Sequence, residues 1–286
     1  MRKLRLRTRD ELLFIGLAIP SFLGILIFFL IPFGYSLYLA MIDNPVSRSF
    51  VWFENFVATF NNLAFRLAMR NTLVFMAMSV PINMIFPLFL ALLLRKTPRR
   101  ELFALFFLLP LVIPSGSVVH FWHSVFGING ALNGLFFRDA PVNWLTSDWA
   151  LGIILVIFMW KNAGFNIVLY QAGLNQIPKE FYECAQVEGA SKWQQFWRIT
   201  FIYLMPTYFI VLLMSILATF RSFREIYLLT GAYPTPGIYM LQHFMNNMFL
   251  ALDYQRLAPA AYMLAVGIIV VVVVVMFLQR RLFSYD

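Results

Sequence analysis

Long apolar runs recur from one end of the chain to the other, and they restrict its fold more than any other feature. Residues 12–41, 71–94, 102–126, 149–172, 201–230 and 258–278 are each long and apolar enough to cross a bilayer, which takes about 20 residues of helix. Hydrocarbon offers the backbone no water, so such runs must close their hydrogen bonds internally, as helices do. With 61% hydrophobic and 12% charged residues in 286, no soluble core could bury this much apolar surface. The expected fold is all-α: a polytopic membrane protein with six transmembrane helices, a single domain over residues 1–286.

Charge sets the expected orientation. Arg2, Lys3, Arg5, Arg7 and Arg9 precede the first run, and Arg95, Lys96, Arg99 and Arg100 fill the tight turn after the second. Lys179, Lys192 and Arg198 lie in the central loop, with Arg280 and Arg281 in the tail. The opposite side holds Arg48, Arg66, Arg70, Arg138 and Arg256. By the positive-inside rule both termini and the central loop are cytoplasmic. The net charge of +9 is therefore a topology signal, and a nucleic-acid partner is excluded. The first run, roughly 30 residues with Pro20 and Pro32 inside it, is too long for a signal-peptide core and predicts a tilted or kinked span. Cys184, the one cysteine, rules out an internal disulfide.

The chain carries no chemistry of its own. There is no G-x-x-x-x-G-K-[ST] to cradle phosphates. His120 and His123 share a helix face, but no Asp, Glu or Cys completes a metal site with them or with His243. Ser115 and Ser117 have no base beside them, and loosening a proline-bent span suits them better. No metal ligand and no catalytic residue is expected, so the enzyme reading fails.

The polar stretch 180–206 stands apart from this oily background. Helix formers Glu183, Ala185, Gln186 and Glu188 lead to Gly189, where a turn at Gly189–Ala190 is expected. Ser191 is placed to cap a second helix that leads into the fifth span. A helix-turn-helix between two spans suits docking onto another protein. Here the residues carry a resemblance. Glu183-Cys184-Ala185, then Glu188-Gly189-Ala190, then Phe196, Ile199 and Pro206 resemble the EAA signature of binding-protein-dependent ABC importer permeases. Ala172-Gly173-Leu174 with Ile177-Pro178, Ile226 to Thr230, Arg70-Asn71-Thr72 and Asn143-Trp144-Leu145 resemble the sugar branch of that family. Cys184 stands where the second motif alanine is usual, and Glu188 where aspartate is. Phe201-Ile202 replaces Leu-Pro, so the fifth span is expected to begin less sharply bent.

The resemblance implies a type I ABC importer permease fold, with a core at 69–278 and a coupling loop at 178–206. It implies a multi-pass subunit of the bacterial cytoplasmic membrane that forms the translocation pathway for a sugar, a neutral mono- or oligosaccharide. Its implied partners are a second permease subunit of different sequence, two cytoplasmic ATPase subunits, an extracytoplasmic solute-binding protein and membrane lipid. No cofactor is bound by this chain, and ATP-Mg belongs to the ATPases. Glu183, Ala185, Glu188, Gly189, Ala190 and Phe196 are then the ATPase-coupling residues. Trp160, Lys161, Asn162, Phe165 and Asn166 on the fourth span, with Ser215, Thr219 and Ser222 on the fifth, match the substrate pathway.

Those pathway residues suit a sugar, because aromatic faces stack on C–H and amides and hydroxyls bond OH groups. Asn162 and Asn166, i and i+4, share a helix face and favour a cavity there. A lysine at a helix centre costs about 2.5–3.5 kcal/mol, so Lys161 should meet water, a ligand or a partner charge. Two readings stay open: a ligand contact, or an ion pair with Glu225 or with the second permease. Arg221, Arg224 and Glu225 are expected near the outer end of the fifth span, as a docking rim or an ion-pair network. A secondary transporter is the rival class and would show acids at the centre of a span, where none is expected. An importer permease for a non-sugar solute such as glycerol phosphate is the rival within the class.

Overall fold

Helix is the only extended secondary structure among the described residues, beside one antiparallel bridge between Ile42 and Phe50. The computed structural model describes residues 2–95 and 97–283, with the backbone alone at 2–12, 100, 282 and 283. Four helical segments are long and apolar enough to cross a membrane, and up to six if each of two sharply bent pairs counts as one span. Two compact units make up the chain. One runs up to Asn62 and includes Asn247–Val266, and the other is Leu63–Asn246 with the chain from Gly267 on.

In the first unit, α1 (Arg2–Ile25) and α2 (Ile31–Ala40) are joined by a π turn, Leu26–Leu30. Pro32 explains the turn. It has no N–H to offer, and in a regular helix its ring would press on the carbonyl of Phe28. The helix widens instead, and Ile31 N–H reaches back to Leu26 O. α2 is closed by Asn55 of α3 (Glu54–Asn61), whose Nδ2 donates to Ala40 O at 3.1 Å and Ile42 O at 2.7 Å.

The second unit is built on four helices: α4 (Leu63–Leu94), α5 (Arg100–Val112), α6 (Ser115–Phe126) and α8 (Ala150–Asn175), with the short α7 (Ala131–Phe136) between the last two. α8 is the hub. It is apolar on every side, as a helix surrounded by others must be, and packs against α4 and α5. A Cβ on Gly164 would lie 1.9 Å from Phe107 O, so the α5 backbone crosses α8 where no side chain fits. α5 and α6 were expected as one span, 102–126. They are two helices at 98°, because Pro114 forces Ile113 into an extended conformation (ψ 128°) and ends α5 there.

The central loop follows as α9 (Lys179–Val187) and α10 (Lys192–Gln195), then a π turn Phe196–Thr200 and α11 (Phe201–Tyr203). The expected fifth span, 201–230, is interrupted twice. A 68° bend separates α11 from α12 (Met205–Arg221), with Pro206 in the first turn of α12, and Ser222 divides α12 from α13 (Phe223–Thr230). The gentler start expected from Phe201-Ile202 is absent, since Pro206 supplies the break a few residues on. The segment 231–257 contains α14 (Leu241–Leu250), and α15 (Tyr254–Phe283) begins earlier than the expected 258. The second span likewise begins at Leu63 instead of 71. Asn71 and Thr72 hold the 236–241 segment: Asn71 Nδ2 donates to Pro236 O at 2.6 Å, and Leu241 N–H donates to Thr72 Oγ1 at 2.9 Å.

His243 in α14 is fully buried among the rings of Phe223, Tyr227 and Tyr239. Its Nδ1 accepts Met240 N–H at 3.2 Å, and burial pushes its pKa down to about 4. An unfolded histidine takes up its proton near pH 6.5. Stability is therefore complete above pH 6.5 and falls as the pH drops towards 4, by roughly 1.4 kcal/mol per pH unit. Melting of the purified protein in detergent should show this decline between pH 7 and 5, and His243→Gln should flatten it. An equal slope in both proteins rejects the assignment.

Gly164 gives a second prediction. Gly164→Leu drives a side chain into the α5 backbone and should cost more than the ~1–3 kcal/mol of ordinary overpacking, with monodisperse protein lost on size exclusion. Gly152→Leu, with open space around its Cβ, should be recovered at the parent yield.

Candidate functional site

The central loop is a preformed rigid body. α9 ends at Gly189, whose φ of +78° is the left-handed conformation that a side chain resists. Ala190 N–H returns to Ala185 O at 2.8 Å and Gly189 N–H to Gln186 O at 3.0 Å. This is the paired closure of a Schellman motif, which satisfies the helix's last carbonyls. Ser191 then caps α10 as expected: its Oγ accepts Gln194 N–H, and Gln194 Oε1 accepts Ser191 N–H, completing a capping box. Buried Gln195 donates from Nε2 to Ala190 O at 2.9 Å and locks the corner.

Three contacts fasten this corner to the spans. Tyr182 and Thr200 hydroxyls lie 2.9 Å apart, joining α9 to the turn that precedes α11. The Arg95 guanidinium sits 4.5 Å over the Tyr182 ring, joining α9 to the end of α4. Phe181 and Tyr203 rings meet at 5.2 Å. Between α9, α10 and α4 lies an open pocket of about 570 Å³, lined among others by Arg95, Tyr182, Glu183, Gln186 and Lys192. Neither Arg95 nor Tyr182 was expected to matter. Their signal was present as an arginine at a span end and a tyrosine one residue before the signature.

The six expected coupling residues fall into two groups. Glu183, Glu188 and Gly189 are exposed, while Ala185, Ala190 and Phe196 are half-buried. Ala185 serves through its carbonyl in the Schellman closure more than as a small contact face. Val187 (90% exposed) and Trp193 (70% exposed) lie on the same corner as the glutamates. Large apolar side chains held in the open on a rigid polar element are the mark of an interaction surface.

The eight expected pathway residues do not converge on one cavity. Trp160 stacks on Phe121 (centroids 5.9 Å apart, 19° between planes) and meets Trp122 edge-on at 5.4 Å, in the apolar cluster of α6 and α8. Asn162 turns back to Phe158 O at 2.8 Å, Thr219 to Ile216 O at 2.6 Å and Ser222 to Ala218 O at 3.0 Å. Phe165 is exposed. Asn166 and Ser215 are buried in a knot with Asn83: both amide groups donate to Ser215 Oγ, at 3.1 and 3.2 Å, and Asn166 also donates to Asn83 O at 2.8 Å. The shared face expected of Asn162 and Asn166 thus gives way to a link between α4, α8 and α12. An Asn83 between Pro81 and Pro87 in an apolar run was the available signal.

Lys161 is paired with Glu225 in this structure. Its Nζ donates to Glu225 Oε1 and to Ser115 Oγ at 3.3 Å, and Ser115 Oγ donates to Glu225 Oε1 at 2.7 Å. Glu225, expected near the end of the fifth span, is buried. It is neutralised there. A cavity of about 10 Å³ beside the pair, bounded also by Asn162 and Ser222, has room for about one water. Arg221 and Arg224 are exposed and take no part in the pair.

A family described as "Binding-protein-dependent transport system inner membrane component" matches residues 56–284. The chain is 27% identical over 268 residues to the lactose transport system permease protein LacF of Rhizobium radiobacter, covering 91% of this chain and 90% of that protein. It is 28% identical over 286 residues to the sulfoquinovosyl glycerol transport system permease protein SmoG of Agrobacterium fabrum (strain C58 / ATCC 33970), covering 95% and 92%. Among solved structures, a bacterial ABC transporter involved in the import of the acidic polysaccharide alginate superposes with a TM-score of 0.85. The two are 25% identical, over 99% of this chain and all of that one.

Proposed function

The chain belongs to the inner membrane components of binding-protein-dependent transport systems, and from this we propose that it forms one half of the sugar pathway of an ATP-driven importer, with its 178–206 loop seated on an ATPase. The observation that carries this reading is the rigid corner at α9–α10. It is capped at both ends of the turn, exposes Glu183, Glu188, Val187 and Trp193, and is bonded to two spans through Tyr182. An ATPase that pushes on such a corner moves α4 and α12 with it, whereas a loose loop would absorb the displacement.

A second permease subunit, two ATPases carrying ATP-Mg and an extracytoplasmic binding protein complete the assembly in this reading, with both termini cytoplasmic. A bacterial alginate ABC transporter in complex with an alginate pentasaccharide-bound periplasmic protein, with a chain 26% identical over 97% of this one, supports the binding-protein partner.

Neutral saccharide is the proposed cargo. The relatives' names include both a neutral sugar and acidic ones, so names leave the charge open. Lys161, the one cation among the expected pathway residues, already has Glu225 as its counter-charge. An anionic cargo would have to compete with that buried carboxylate, while a neutral one would not. Hydrolysis of ATP by the reconstituted complex with its binding protein should rise with neutral mono- or oligosaccharides. Stimulation by glycerol phosphate or a sugar phosphate, with neutral sugars inert, overturns this cargo class. Uptake driven by an ion gradient without any ATPase points to a secondary transporter instead.

The docking surface has its own test. A Cβ at Gly189 meets nothing within 4 Å, so Gly189→Trp projects its ring outward at a cost of about 1–2 kcal/mol for the positive φ. Insertion into the membrane should persist while co-purification of the ATPase and uptake fall at least tenfold. Gly189→Ala carries the strain without the bulk and should keep most of both. Normal uptake in the Trp variant shows that the corner is not the contact.

A further inference from the structure

We propose that Lys161, Glu225 and Ser115 form a latch that holds the α6–α13 pair against α8, and that α6 swings about Ile113–Pro114 when the latch opens. The movement is argued from this chain alone, and its consequence for transport rests on the importer reading above.

The argument begins with what is fixed. α5 is bound to α8 by a backbone contact at Gly164 that leaves no room for even a methyl group. α6 begins only two residues after α5 ends, yet leaves at 98°. Ile113 and Pro114 between them are extended, with ψ of 128° and 140°, so this joint is the one place where α6 can turn without melting a helix. α6 is thus free to move where α5 is not.

α6 and α13 pack on each other and travel together, with Val118 and Leu229 in one apolar cluster and Ser115 Oγ donating to Glu225. Against α8 this pair presents apolar contacts to Ile153 and Ile157 and the rings of Phe121 and Trp122 packed on Trp160, neutral contacts that carry no charge-assisted bond. Lys161 is different. It reaches from α8 to both partners, to Ser115 one residue past the joint and to Glu225 on α13. A charge-assisted bond of this kind fixes a position that apolar packing leaves loose.

The pair is also built to open. A buried ion pair separates only if water replaces each partner. The adjacent cavity, about 10 Å³ between Lys161, Asn162, Ser222 and Glu225, admits about one water at the pair itself. Closed and dry, or open and hydrated, the site has two satisfied arrangements and a costly path between them, which is how a bistable element behaves.

The test uses the full chain in lipid nanodiscs, with Cys184→Ser removing the one cysteine and spin labels placed at Ser124→Cys on α6 and Val168→Cys on α8. Both positions are exposed and outside the latch. The parent should give one narrow distance distribution. Glu225→Gln should add a longer population of at least a third of molecules, and the exchange Lys161→Glu with Glu225→Lys should return the narrow one. An unchanged distribution in folded Glu225→Gln rejects the latch, and so does an exchange variant no narrower than Glu225→Gln. If Glu225→Gln yields no folded protein, the paired change Lys161→Met with Glu225→Leu decides, since it removes the ion pair without leaving a buried charge unpaired. A longer population there supports the latch and its absence rejects it. Adding the partner ATPase separates the two levels of the proposal. Basal hydrolysis without binding protein should rise about threefold in the variant that opens. Opening without that rise leaves the latch standing and rejects its role in transport.

Discussion

Everything in the second unit follows from one constraint: a polar group in hydrocarbon must find its partner inside the protein. α8 shows the consequence along its length. At Lys161 the partner is a carboxylate and a hydroxyl, at Asn162 its own backbone, and at Asn166 the Asn83–Ser215 knot. The solutions at Lys161 and Asn166 tie α8 to different elements, so one helix gathers α4, α6, α12 and α13 around itself. Where α8 meets a neighbour too closely for any side chain, it carries glycine, against the Phe107 backbone at 164 and against the Thr207 and Leu204 side chains at 173. A Cβ on Gly173 would lie 2.4 Å from Thr207 Oγ1 on α12.

The same constraint divides the molecule into parts that must hold and parts that can yield. The knot on α4, α8 and α12 is fully buried and amide-bonded. The central corner is rigid for a different reason, since its caps satisfy the turn's backbone groups without help from any partner. Between these two stiff bodies, Tyr182 is the common member, bonded to Thr200 and covered by Arg95. Displacement of the corner therefore has a short path into the spans, with no flexible residue along it.

How much of this could be read from the sequence depended on the range of the interaction. The spans were legible because apolar runs of that length have one stable form in a membrane. Their ends were not, since α4 and α15 begin before the apolar runs, at Leu63 and Tyr254. Gly189 and the Ser191 cap were legible because the motif is closed within a few residues. Pro110 and Pro114 announced a break, but its 98° angle depends on where α6 packs. The pathway residues were the least legible. Asn166 meets a residue 83 positions away and another 49 away, and residue type alone cannot tell a cavity-lining amide from one that is consumed by such a knot.

A buried ion pair is a poor way to hold helices together. Apolar side chains of the same volume would pack as well without the desolvation cost of two charges, and measured replacements of this kind are often neutral or stabilising. Lys161 and Glu225 therefore call for an explanation beyond stability. Position supplies one: the pair sits where a fixed helix meets two that are free to turn, one residue past a proline joint and beside space for a water. Apolar packing could hold those helices, but it would release them gradually. Opposite charges hold one geometry and, once hydrated, hold nothing, so the joint has two states instead of a continuum. A protein that must expose its interior to one side of a membrane at a time needs that discontinuity more than it needs the lost stability.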